Sequence, residues 1–248
     1  MNSATEISAP EMLGVIGGLG PLASAEFLKT IYELSPAERE QDSPAVVLYS
    51  NPKFPDRTEA FKAGDDDILL EELNCAIDRL SLLGAAKIVI CCLTIHHLLP
   101  KLPLSKASRI ISLLDIIFEE VKRIKEPYLL ACSLGAREQK LFENHSQWNG
   151  LQKYIVLLDP DDQRRLHYDF IYKLKRNCNL PQITPLLEAM LGKYNVAGMI
   201  AGCTEMHIVA KHYLFSPELE KRYSCVDPLM IVASRLAEGW YKPDSNSV

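Results

Sequence analysis

The chain has 248 residues, a net charge of -5, and hydrophobic and charged residues at 48% and 24%. That length supports one large domain or two lobes, each able to bury its own core; the charge gives no electrostatic case for nucleic acid, and no basic cluster is interleaved with aromatics. No apolar run reaches the roughly 18–20 residues that span a bilayer, the opening "MNSATEISAPEM" has neither the basic start nor the apolar stretch of a signal peptide, and the seven cysteines lack the spacing of a disulfide framework, so a reduced, cytoplasmic protein is expected.

From the amino end, "MLGVIGG" (12–18) reads as a short buried strand, and a helical pattern follows over "SAEFLKTIYEL" (24–34). In the turn between them, Gly18-x-Gly20-x-x-Ala23 loosely matches a dinucleotide fingerprint, but Pro21 interrupts it. The next strand, "AVVLYSN" (45–51), ends on Asn51 rather than on an acidic partner for a ribose. The turn therefore reads as backbone brought close to a small ligand. "NPKFPDRT" (51–58) reads as a rigid loop with two prolines and Asp56. Its Arg57 is either the cation that grips a carboxylate bidentately or, more plainly, a solvated surface residue. A helix over "DDILLEELNCAIDRLSLLG" (66–84) closes on Gly84 as a C-cap. Further strands are "AAKIVICC" (85–92), the weaker pair "YLLACS" (128–133) and "YIVLLD" (154–159), and "AGMIAGC" (197–203). The last residues, "KPDSNSV", read as a frayed tail.

Short continuous apolar runs suit parallel strands covered on both faces. Their alternation with helices predicts parallel α/β sheets with right-handed crossovers, and the loops at the carboxyl ends of the strands form the ligand crevice. "GAAKIVICCLT" (84–94) and "NVAGMIAGCTE" (195–205) echo each other as helix end, apolar strand, then cysteine with threonine close behind. Two comparable lobes explain that echo.

Successive strand residues face opposite sides, so Cys91 and Cys92 cannot both enter one crevice, and one of them packs in a core. Zinc is disfavoured, because Cys-Cys lacks the C-x2-C knuckle; of His96 and His97, one reads as a helix cap or site-edge residue and the other as exposed. Cys203 alone would be an inert loop cysteine. With Cys92-x-Thr94 it suggests a cleft bearing one thiol on each wall. Opposed thiols suit inversion of a stereocentre, since one removes the Cα proton and the other returns a proton to the opposite face. Each cysteine precedes an expected helix start, whose dipole and free N–H groups would lower the thiol toward neutrality.

These segments together resemble the cofactor-independent aspartate/glutamate racemases, above all those acting on aspartate. "GVIGGLGPLASAEF" resembles the family's opening strand and helix, "NPKFPDRT" its substrate loop, "CCLTIH" its first cysteine motif Pro-Cys-Asn-Thr-Ala-His, and "AGCTE" its second. "DDQ" (161–163) and "VDPL" (226–229) also fall in the family's order, so the resemblance spans nearly the whole chain. It implies two pseudo-symmetric α/β lobes, each a mainly parallel sheet flanked by helices, with the active site between them and a homodimer. The lobes would be residues 1–108 plus 214–248, carrying Cys92, and residues 109–213, carrying Cys203. The implied reaction is interconversion of L- and D-aspartate by two-base 1,1-proton transfer, with no pyridoxal phosphate, no other cofactor and no metal. Cys92 and Cys203 would be catalytic; Arg57, Lys175, Thr94, Thr204 and Asn51 would bind substrate; Asp56 and Glu205 would support acid/base transfer. Where the family has asparagine after the first cysteine this chain has Leu93, leaving the backbone N–H groups of residues 93 and 94 to hold a carboxylate. The alternatives are a glutamate or broader-specificity racemase, a related hydantoin racemase or decarboxylase, a non-catalytic dicarboxylate-binding protein, and a Cys–His hydrolase using Cys92 and His96, which leaves Cys203 unexplained.

Overall fold

A computed structural model describes residues 12–216 and 223–239. The "KPDSNSV" tail, and all of the opening segment but Met12, lie outside the described residues.

The first half of the chain runs β1 (Met12–Gly17), α1 (Pro21–Leu34), β2 (Val46–Ser50), α2 (Arg57–Ala63), α3 (Asp66–Leu82), β3 (Ala85–Ile90), a 3-10 segment (Thr94–Lys101), α4 (Leu104–Ala107) and β4 (Ile110–Ile111). The second half runs α5 (Leu113–Ile124), β5 (Tyr128–Cys132), α6 (Leu134–Glu138), α7 (Trp148–Leu151), β6 (Ile155–Val156), α8 (Pro160–Arg165), a π-helical segment (Leu166–Ile171), α9 (Tyr172–Lys175), α10 (Leu180–Lys193), β7 (Gly198–Gly202), α11 (Met206–Leu214), β8 (Ser224–Val226) and α12 (Pro228–Ala237). The strands form two four-stranded sheets ordered β2-β1-β3-β4 and β6-β5-β7-β8, with every pairing parallel. The two orders are identical once four is added to each number, so the echo in the sequence is an echo of topology. β3 and β7, the cysteine-bearing strands, occupy the same place in each.

Among the elements that the sequence reading does not name, three have a local reason. β4 and β8 are too short to show a period. α2 begins where a rigid loop was expected, because the Asp56 carboxylate caps it by accepting from the Thr58 and Glu59 N–H groups at 2.9 and 3.2 Å. The expected helix end at Gly84 holds, with this glycine at φ +90 just beyond α3. Strand membership also differs from the division at 108 and 214: β4 pairs with β3 in the first sheet and β8 with β7 in the second.

Packing explains the alternation. One face of each sheet enters a common inner core, where Leu13, Val15 and Val89 of the first sheet join Leu130, Cys132 and Ile200 of the second, with Phe27, Ile117 and Phe118 from helices. The opposite faces fill two outer cores. Ile16, Ile88, Ile90 and Cys92 pack with α3, and Leu129, Ala131, Met199, Ala201 and Cys203 pack among residues of α10 and α11. A fully buried aliphatic or aromatic side chain contributes roughly 1.5–3 kcal/mol, so the shared inner layer ties the sheets together. α12 packs against both α1 and α5 across that layer. No helix among the described residues is long and apolar enough to cross a membrane.

Candidate active site

In each sheet the strand order reverses between the two central strands, which places the loops after β1 and β3, and after β5 and β7, at the crevice. Those loops carry Gly18–Gly20, Cys91–Leu93, Ser133 and Cys203–Glu205. The pleat separates the adjacent cysteines as expected: Cys91 is fully buried in the inner core, while Cys92 belongs to the outer core beside the crevice. Leu93 turns back into the inner core with Cys91. Burial, then the neighbouring Cys92 and Glu205, push the Cys91 thiol well above its ordinary range. Cys91→Ala is expected to leave turnover near wild type while lowering stability by about 1 kcal/mol, a small truncation in a packed core. Matched activity and denaturation measurements check this, and an activity loss equal to that of a Cys92 variant would undo the facing argument.

Direct bonds join the two halves at this crevice. The Thr204 hydroxyl donates to the Cys91 carbonyl at 3.0 Å. Thr94 Oγ1 and Ser133 Oγ lie 2.8 Å apart, and Ser133 also caps α6 by accepting from the Ala136 N–H. The Tyr172 hydroxyl donates to Asp56 Oδ2 at 2.9 Å. Cys92 and Cys203, each 6% exposed, stand within electrostatic reach of each other.

The surroundings of the two thiols differ. Arg57 is buried against Cys92, donating to the Leu19 carbonyl and, at 3.0 Å, to the Pro55 carbonyl. The solvated-surface reading of Arg57 is therefore wrong. Burial works against its charge, but Cys92, Asp56 and Glu205 outweigh burial and hold the guanidinium above its ordinary pKa. Cys203 instead donates its S–H to Glu205 Oε2 at 2.8 Å. Burial first, then the Glu205 charge, push this thiol well above its ordinary range, with Lys175 opposing. A helix start alone would lower this thiol; here the desolvation of a buried thiolate exceeds what a helix terminus returns.

Glu205 Oε1 is buried with no hydrogen-bond partner and abuts Gly20, where any Cβ would collide with it. Gly18, at φ +86, sits tight against the backbone of Asn51. The glycine turn thus makes room for Asn51 and Glu205, whereas the sequence suggested room for a ligand. Asn51 itself donates to the Gly17 carbonyl at 3.2 Å and accepts from the Lys53 N–H at 3.1 Å. Asp56 has both carboxylate oxygens engaged, by the α2 cap and by Tyr172. Burial would raise its carboxyl, but the Glu59 amide, the Tyr172 hydroxyl and Arg57 leave it below its ordinary range. Lys175 lies over the Tyr172 ring, 4.7 Å from its centroid.

His96 is 3% exposed and belongs to the scaffold: Nδ1 pairs with the Cys92 carbonyl at 3.0 Å, and Nε2 accepts from the Leu113 N–H at 3.3 Å. Its lone pair is thus spent on a backbone amide. His97 packs edge-on against Phe61 and is only partly exposed. Among the described residues no group of three or more His, Cys, Asp or Glu side chains is placed to hold a metal ion. Burial lowers the His96 pKa from 6.5 to about 4. The unfolded chain therefore takes up a proton first, and stability is expected to fall as pH drops from 6.5 toward 4. Thermal melts at pH 7 and pH 5 check this, and the acid-side drop should shrink in His96→Asn.

Ser133, His167 and Tyr172 were not singled out in the sequence. Ser133 was findable, since it ends a strand equivalent to β1 and so begins a crevice loop. His167 lies in the π-helical segment and Tyr172 opens α9 directly after it, and a π-helical turn leaves no mark on local periodicity.

Residues 16–233 match the family model for Asp/Glu/hydantoin racemase. Among solved structures, the chain is similar to the aspartate racemase of Picrophilus torridus, with TM-score 0.76 and 21% identity over 92% of this chain and 94% of that one. An aspartate racemase homologue from Pyrococcus horikoshii OT3 gives TM-score 0.61 and 20% identity over 92% and 99%. Glutamate racemase from Campylobacter jejuni gives 0.61 and 14% over 92% and 85%. These identities speak to fold, while the family match covers most of the sequence. The match reaches into both parallel sheets and takes in the loops after β3 and β7, and the chain belongs to the Asp/Glu/hydantoin racemase family.

Proposed function

We propose that this racemase-family protein interconverts L- and D-aspartate by proton transfer between Cys92 and Cys203, without pyridoxal phosphate. The observation that carries the reading is the unlike pair of thiols, with Arg57 against Cys92 and the S–H of Cys203 bonded to Glu205. A two-base racemase needs one sulfur as thiolate while the other still holds its proton. Cys92 as thiolate takes the Cα proton, the C–H electron pair moves into the α-carboxylate as an enediolate, and Cys203 returns its proton to the opposite face. The sulfurs then have exchanged protonation states, which is the starting form for the other enantiomer. Glu205 supports the second thiol by accepting its S–H hydrogen bond and so keeping the proton on Cys203 until the carbanion receives it. Asp56 supports the reaction by fixing the start of α2 and thus Arg57.

Arg57 and Lys175 hold the side-chain carboxylate, and Thr94, Thr204, Asn51 and the N–H groups of residues 93 and 94 surround the rest of the substrate. The protein works in the cytoplasm as a homodimer, which sedimentation would test. Incubation with L-aspartate in deuterated water, without cofactor, should yield D-aspartate carrying deuterium at Cα. L-glutamate and a hydantoin run in parallel distinguish the sister activities. Failure to exchange the Cα proton of any of these would overturn the racemase reading.

A further inference from the structure

We infer that two copies of this chain dimerise through α3, packed antiparallel about a two-fold axis that passes beside Cys75. The inference gives the proposed homodimer its surface and rests on that assembly, not on the chemistry of the crevice. α3 buries Leu69, Leu73, Ala76, Ile77 and Leu80 on one face. The opposite face of a surface helix is ordinarily charged or polar, yet Ile68, Cys75 and Leu82 stand exposed on it at i, i+7 and i+14. At about 100° per residue these three fall within about 40° of one line along the helix. Ile68 is 52% exposed and Leu82 88%. Leu83 and Leu104 are exposed as well. Leu104 lies beside α3, because Lys101 and Lys106 on either side of it bond to Asp66 and Asp78 at 2.7 and 2.8 Å. Four of the nine large exposed hydrophobics among the described residues thus belong to α3, its end and the segment alongside it. Gathered apolar surface of this kind marks an interaction site.

The pattern identifies the partner, because it is complementary to its own reverse about Cys75. Reversing α3 there sets Ile68 opposite Leu82 of the second copy, Glu71 opposite Arg79, and Cys75 opposite Cys75. A two-fold axis makes each unlike contact twice, so opposite charges alternate with apolar contacts along the whole seam. Glu71 and Arg79 are both exposed. Arg79 is held in place by Tyr49, bonding its hydroxyl and lying 5.2 Å from the ring centroid. The like-charged juxtaposition, Asp78 against Glu72, is relieved by Lys106, which pairs with Asp78 at 2.8 Å. A parallel pairing would instead set Glu71 on Glu71 and Arg79 on Arg79.

Sedimentation of the full chain over a concentration series reads the dimer. Leu82→Glu should weaken it by roughly 100-fold or more, since the change enters the interface twice. Helix content by circular dichroism should stay unchanged, because this position is exposed and glutamate is a good helix former. Phe215→Glu, at an exposed apolar residue elsewhere, should leave the dimer intact. Glu71→Arg and Arg79→Glu should each weaken it by roughly 10-fold, and the double variant should recover most of that loss, because both pairs are then reversed together. A short bismaleimide should join wild-type protomers through Cys75, the one exposed cysteine among the described residues, and fail on Cys75→Ser. A dimer indifferent to Leu82→Glu, charge reversals that do not rescue each other, or crosslinking that survives Cys75→Ser would overturn this interface and leave the homodimer standing. Wild-type protein that stays monomeric throughout would overturn both. Exchange at Cα tests the racemase reading separately and is indifferent to each of these results.

Discussion

Replacing either Cys92 or Cys203 with serine is expected to abolish racemisation, because a serine hydroxyl is too weak an acid to serve as the missing base or its proton donor. A positioned acid or base contributes roughly 10²–10⁴-fold, and inversion needs both groups in one turnover. Deuterium exchange need not vanish, since the remaining sulfur can remove a proton from the face it meets and return it there. Each variant should therefore exchange one enantiomer without inversion, and the preferred enantiomer should switch between the two. The structure adds an asymmetry. In Cys203→Ser the remaining thiol is the one beside Arg57. In Cys92→Ser it is the one raised by burial and by the Glu205 charge. Exchange by Cys92→Ser should accordingly be the slower of the two at pH 7 and gain more on going to pH 9. Mass spectrometry of each enantiomer after incubation in deuterated water reads all of this. Full racemisation by either variant, or one enantiomer preferred by both, would remove the two-base assignment.

Arg57→Ala is expected to lower kcat/KM for aspartate by roughly 30-fold or more, the equivalent of about 2–5 kcal/mol for truncating a buried charged partner. The same change should cost stability, which the sequence alone did not suggest. Pro52 and Pro55 stiffen the loop, but Arg57 donates to the Leu19 and Pro55 carbonyls, and both would lose a buried donor. An unpaired buried group costs about 1–3 kcal/mol. Arg57→Lys separates the effects, since an ammonium keeps the charge but not the fork that spans two carbonyls. Wild-type kcat/KM in Arg57→Ala would show that this residue is not the anchor.

The glycine turn shows how far a local pattern reaches. Gly18 and Gly20 were legible as places where something comes close, yet nothing nearby in sequence says that the neighbours are Asn51 and Glu205. Tyr172 is similar: it meets Asp56 across 116 positions of chain. Its partner is set by the way the two halves dock.

The sequence by itself determined the alternation of strands and helices, the repeat of a cysteine after equivalent strands, and the separation of Cys91 from Cys92. Each follows from nearest-neighbour physics: apolar runs seek cover, a strand turns successive side chains to opposite faces, and glycine or a capping carboxylate ends or starts a helix. Only the tertiary structure decided which groups face each thiol. Glu205 against Gly20 and within reach of Arg57, Thr204 on the Cys91 carbonyl and Tyr172 on Asp56 depend on two sheets sharing one inner core, which brings together loops more than a hundred residues apart. It also reversed the expectation for Cys203, because the penalty for burying a thiolate is set by the surrounding packing, and no local motif records it.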